Sequence, residues 1–205
     1  MSSVEPSVAR KWTATELVVL DAVKVCCERW GVDKVTIDDI AKQSGVSRAT
    51  LYRMFPGGKD VLFEAHRVYE LDQFMTVLVE HLQGVDTLEE VVVQTVSAAL
   101  RELRADEHLA IMLASEPGAV VSDLTVDGLP RIIRVASAYL APFLDPYLPR
   151  AQARSLIDLL SRLVISYFLA PSDIVDLTDT DEARRFLAPF LPQVLPPVVE
   201  AAAPT

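Results

Sequence analysis

The chain has 205 residues, 51% hydrophobic and 23% charged, which is enough apolar material for a sizeable core and too much for a disordered chain. Its formal net charge of −10 argues at first against a nucleic-acid partner. The opening residues, MSSVEPSVARKW, lack the apolar stretch of a secretion signal, and the longest apolar segment, 150–170, is interrupted by Arg154, Asp158 and Arg162, so a cytoplasmic protein with no membrane span is expected.

Only 7 glycines occur, and Ala and Leu are plentiful, which favours helices over strands. The first helix is predicted to begin after Thr13, because Thr13 and Glu16 have capping-box spacing, and to end at Trp30-Gly31. Thr36 and Asp39 repeat that grammar at the start of a short second helix, whose Ile37, Ile40 and Ala41 form an apolar stripe and which Gly45 ends. Ser47 suits the cap of a third helix over 48–55, with Leu51 and Phe55 four residues apart on its inner face and Pro56-Gly57-Gly58 as its stop. Further helices are expected over 59–83, 87–104, 106–116, 130–141, 150–170 and from about 181, nine in all. The stretch 119–128 reads as a loop, Pro142, Pro146 and Pro149 as breaks after the seventh helix, and Pro189 as a break in the last. The fold class is therefore all-α, divided into a helix-turn-helix domain over 1–60 and a helical body over 61–205.

Cys26 and Cys27 are neighbours on a helix, pointing about 100° apart, and read as small core residues. His66, His81 and His108 lack ligand spacing, so neither a metal nor another cofactor is expected. No Gly-rich phosphate loop or nucleophile-base set stands out, and no enzyme activity is expected. The charge is unevenly spread: residues 1–60 hold nine basic and eight acidic side chains, against 10 and 21 in the remainder. All five lysines fall in the first sixty residues, so a near-neutral module with clustered cations precedes an acidic body.

The informative segment is TIDDIAKQSGVSRATLYRMFPGGKD, residues 36–60. Two short helices joined by a glycine turn cannot bury both faces alone, so Ile37, Ile40, Ala41, Val46, Leu51 and Phe55 should pack on the first helix. The outer face of the second short helix, with Arg48, Ala49, Thr50, Tyr52 and Arg53, is then left to enter a major groove.

The I-A, G-V-S, T-L-Y and F elements of this segment resemble the tetracycline-repressor (TetR) family signature over residues 15–60. The resemblance implies a dimeric regulator of transcription, repressing by default, that binds palindromic double-stranded operator DNA. It implies DNA contacts by Thr36, Ser47, Arg48, Thr50, Tyr52, Arg53 and Lys59, the last as a phosphate clamp at the start of the fourth helix. It also implies a homodimer interface built by the last two helices, here Leu156, Leu160, Leu163, Ile165, Phe168, Phe186 and Phe190. Pro192, Pro196 and Pro197 follow in that last stretch.

In the body, Phe74, Leu78, Val96, Leu100, Met112, Tyr139, Phe143 and Tyr167 are candidates for an effector pocket. Each also suits an ordinary core position. Their apolar character points to a small lipophilic effector, acting by shifting the long fourth helix. A regulator controlled by a protein partner instead of a small molecule stays open. Arg162, inside an apolar helix, is read first as a member of a buried structural ion pair, with Glu116 as one candidate partner, while an anchor for an anionic ligand and plain exposure stay open.

Overall fold

A computed structural model describes residues Lys11–Leu191; Arg10 and the prolines at 192, 196 and 197 lie outside the described residues. Ten helices follow one another: α1 (Ala14–Trp30), α2 (Ile37–Ser44), α3 (Arg48–Met54), α4 (Lys59–Glu80), α5 (Leu88–Ala105), α6 (Glu107–Ser115), α7 (Pro117–Leu124), α8 (Leu129–Leu144), α9 (Arg150–Leu169) and α10 (Thr180–Leu187). No strand occurs among the described residues. The chain divides into two compact units, one reaching Met75 and the other starting at Thr76. The first unit thus extends beyond residue 60 to take in most of α4.

In the first unit, helix starts are set by side-chain caps. Thr13 and Thr36 each accept from the backbone N–H three residues on, and Glu16 and Asp39 reach back to the capping residue's own N–H. Ser47 caps α3 by accepting from the Thr50 N–H at 3.2 Å. Gly45 ends α2 in the left-handed conformation, at φ +71°, where an L side chain is strained. Val19, Leu20 and Val23 of α1, Ile40 of α2, Leu51 at α3 with Phe55 just after it, and Leu62 of α4 share one buried cluster. Each fully buried aliphatic side chain contributes about 1.5–3 kcal/mol. Cys26 and Cys27 belong to the same core, as expected of small apolar residues. Burial pushes the Cys27 thiol up to about 11 and the Cys26 thiol up as well.

In the second unit, α9 packs on α5 and α8, and α10 packs on α5. The α5 stretch Val91–Leu100, apart from Gln94, is buried. A polar seam joins α10 and the loop before it to α5. Arg101 Nη1 donates to the Thr178 carbonyl at 2.9 Å, Arg104 pairs with Asp176 at 3.1 Å, and Arg184 bonds Glu90.

Four expectations need correction. The stretch 119–128 is not all loop, because α7 fills its first half. Pro117 directly follows the helix predicted over 106–116 and starts the next one, since its fixed φ suits the first helical turn and its missing N–H costs nothing there. That extra helix raises the number from nine to ten. Pro142 does not break α8, which carries it inside and ends at Leu144. Arg162 is not buried: its side chain is 57% exposed and pairs with Asp158 one turn earlier, at 2.9 Å. The buried guanidinium of this unit is Arg131, whose partner across the α7–α8 connection is Asp123 at 2.8 Å. At the other end, α10 stops at Leu187, before Pro189.

The α5–α10 seam has a pH signature. The hydrogen bond from Arg184, and then that from Gln94, hold the Glu90 carboxyl below its ordinary value. A carboxylate whose folded value is depressed stabilises the fold above its unfolded value, about 4.3, and that stabilisation disappears as the pH falls through the folded value. Urea denaturation of wild type and Glu90→Gln from about pH 6 to about pH 3 is expected to show a difference that narrows on acidification. A constant gap between the two curves would contradict this assignment.

Candidate DNA-binding surface

The face of α3 is sorted by its pattern. Leu51 is 1% exposed and Phe55 2%, while Tyr52 is 48% exposed and Arg48, Ala49 and Arg53 are exposed too. The inward pair fixes the helix in its unit, and the outward set joins two guanidiniums, a phenol and a small residue that lets a surface approach closely. Among the described residues, Arg53 forms no ion pair. Thr50 is half-buried, and its hydroxyl accepts from the Ser47 hydroxyl at 3.0 Å. The two capping hydroxyls, Thr36 and Ser47, are both exposed and lie where the unsatisfied N–H groups of α2 and α3 begin. The Thr36 hydroxyl donates to Asp39 at 2.6 Å and is therefore committed within its own capping box. That bond, together with the one from the Thr36 N–H, holds the Asp39 carboxyl below its ordinary value.

Two charged groups are placed in ways the sequence did not suggest. The Lys59 ammonium donates to the carbonyls of Val32 and Asp33, both at 3.2 Å, and lies over the Phe63 ring at 5.1 Å. It thereby ties the first turn of α4 to the loop after α1, and one N–H of the ammonium remains beyond these two bonds. Arg48 is bound to Asp38 of α2, which no local spacing rule singles out because ten residues separate them. A glycine matters here as well: a Cβ at Gly58, which sits at φ +74°, would come within 3.3 Å of the Tyr52 ring.

The effector candidates do not form one set. Phe74 belongs to the first unit, whereas Leu78, Val96, Leu100, Met112, Tyr139, Phe143 and Tyr167 belong to the second. Leu78, Val96, Leu100 and Tyr139 are buried, and Met112, Phe143 and Tyr167 are half-buried. Among the interface candidates, Leu156, Leu160, Ile165 and Phe168 are buried inside the second unit of a single chain, so their side chains are already covered. Leu163 and Phe186 are half-buried, and the outward apolar positions nearby are Leu159, 46% exposed, and Phe190, 51%. Phe186 stacks edgewise with Tyr167 and tilts against Phe190. Among the described residues no cluster of three or more His, Cys, Asp or Glu could hold a metal, and no helix is long and apolar enough to cross a membrane.

Residues 19–66 match the family of bacterial regulatory proteins, tetR family. An HTH-type transcriptional regulator of Mycobacterium tuberculosis strain H37Rv is 32% identical over 98 residues, which is 48% of this chain and 49% of the relative. The chain thus matches about half the length of that curated relative. Among solved structures, the TetR family repressor AlkX from Dietzia sp. strain DQ12-45-1b superposes with a TM-score of 0.64 at 24% identity, covering 91% of this chain and 99% of AlkX. The regulator FadR from Bacillus subtilis in complex with stearoyl-CoA does so with a TM-score of 0.50 at 18% identity, covering 83% of this chain and 96% of FadR. These likenesses extend the shared fold into the second unit, and the match over residues 19–66 carries the similarity to the tetR family of bacterial regulatory proteins from α1 into α4.

Proposed function

We propose that this chain is a homodimeric, sequence-specific DNA-binding repressor whose α3 enters the major groove of each half of a palindromic operator. The observation that carries this reading is the outward face of α3, with Arg48, Tyr52 and Arg53 exposed beside an inward Leu51 and Phe55. A major groove about 12 Å wide admits one helix, and guanidiniums and hydroxyls are the groups that meet base edges and phosphates there. Thr36, Ser47, Thr50 and Lys59 frame that face and complete the contact set. The remainder of the chain is net acidic, with 10 basic against 21 acidic side chains, and every lysine lies in the first sixty residues.

The test is selection of bound fragments from randomised duplexes, followed by titration of variants. Tyr52→Ala is expected to abolish enrichment. Arg53→Ala should weaken binding and lower the salt slope by about one released counterion. Normal binding by Tyr52→Ala would mean that α3 is oriented wrongly in this reading.

We further propose that the second unit holds a lipophilic effector that releases DNA. The support is the apolar character of Leu78, Val96, Leu100, Met112, Tyr139, Phe143 and Tyr167, together with the fold shared with FadR from Bacillus subtilis, which was solved in complex with stearoyl-CoA. α4 contributes residues to both units, so it is the element through which the effector would act. The effector must bind the two states with affinities differing by a few kcal/mol, and half-sites spaced roughly 34–36 Å make the dimer sensitive to a shift of α4. In a thermal-shift screen, fatty-acyl or aromatic compounds are expected to raise the melting temperature. A screen in which polar metabolites alone did so would overturn the proposal.

The homodimer seam is proposed along the outward side of α9 and α10, with Leu159, Leu163, Phe186 and Phe190 as its apolar positions. Sedimentation velocity is expected to give a dimer for the wild type and a monomer for Leu159→Asp combined with Phe190→Asp. A double variant that remained dimeric would place the seam elsewhere.

A further inference from the structure

Two carboxylates stand in the first turn of α2, and they are used differently. Asp39 closes the capping box with Thr36. Asp38 takes no part in that cap and reaches α3 instead: its Oδ1 lies 3.0 Å from Arg48 Nε, and its Oδ2 accepts from Arg48 Nη1 at 3.3 Å. One hydrogen bond and one close ionic contact hold the guanidinium beside Asp38, although both side chains are more than half exposed, at 61% and 63%. The outward face of α3 therefore carries two arginines in unlike states, Arg48 balanced by a carboxylate and Arg53 exposed with no ion pair among the described residues.

Those states suit different targets on a duplex. An arginine free to swing follows the phosphates, which are the same for every sequence. A guanidinium with a carboxylate beside it is a poor phosphate ligand, because the carboxylate repels the phosphate and the cation is already paired. Its remaining N–H donors stay directed, and a fixed pair of donors matches the O6 and N7 acceptors of a guanine edge.

We propose that Asp38 is a specificity-determining residue: it withholds Arg48 from the DNA backbone and presents it to a base edge, so that arbitrary sequences are bound less well than the preferred one. This rests on the reading of α3 as the DNA-contacting helix.

The experiment uses the full chain and two probes, the duplex enriched from a randomised pool and the starting pool itself. Wild type, Asp38→Asn, Arg48→Ala and the double variant are compared by fluorescence anisotropy over a series of salt concentrations, with melting temperatures recorded for all four. Asp38→Asn keeps the size of the side chain and removes its charge. It is expected to tighten binding to the unselected pool by several fold, to raise the salt slope there by about one, and to narrow the preference for the enriched duplex. In the Arg48→Ala background the same substitution should leave that preference unchanged. An unaltered preference in Asp38→Asn overturns the proposal, as does an equal gain on both probes that survives without Arg48, which would be a bulk charge effect. Equal weakening on both probes, with a lowered melting temperature, also overturns it by reducing Asp38 to a structural part of α2. Wild type that binds neither probe overturns the DNA-binding reading itself, a result distinct from any of these.

Discussion

The seating of α3 is the constraint on which everything else rests. Leu51 and Phe55 have nowhere to go but the cluster formed with Val19, Leu20, Val23, Ile40 and Leu62. Because side chains four residues apart share a helical face, burying that pair turns Tyr52 and Arg53 outward, while Arg48, three residues before Leu51, is exposed because it opens the first turn of the helix. The helix has only seven residues and would not persist in water alone. Its direction is a property of the core beneath it, and the chemistry of its outer face is borrowed from that core's rigidity.

Caps and turns support the seating. Thr36 and Ser47 start α2 and α3 at defined residues, and Gly45 makes the turn between them possible by adopting a conformation that other residues resist. Lys59 adds a link of a different kind, holding the start of α4 to the carbonyls of Val32 and Asp33. A lysine at this point therefore has a structural attachment before any phosphate arrives. The first unit is built so that local hydrogen bonds set the helix ends and apolar burial sets their orientation.

This division explains what could be read from the sequence. The starts of α1, α2 and α3 and the inward stripe were legible because caps and periodicity are local signals, within four residues. Features set by distant partners were not. The Arg48–Asp38 pair spans ten residues, and the Lys59 attachment spans more than twenty. Helix α7 was hidden because Pro117 is equally good punctuation for the end of one helix and the start of the next. Arg162 was expected inside because its neighbours are apolar, yet a single exposed stripe on α9 suffices for it and its partner Asp158. The same ambiguity affected Leu156, Leu160 and Phe168: an apolar residue on a helix announces burial but not whether its own chain or a second copy provides the cover.

The buried thiols have a practical meaning. The chain contains two cysteines, Cys26 and Cys27, side by side in the core under α2 and α3, and both titrate above the ordinary thiol range. Alkylating reagents need an accessible thiolate, so neither sulfur reacts while α1 keeps its cover. Any event that lifts the neighbouring helices away turns two silent atoms into reactive ones. The protein thus contains its own timer for the opening of its first unit, with no introduced label and no second cysteine-bearing region to confuse the count.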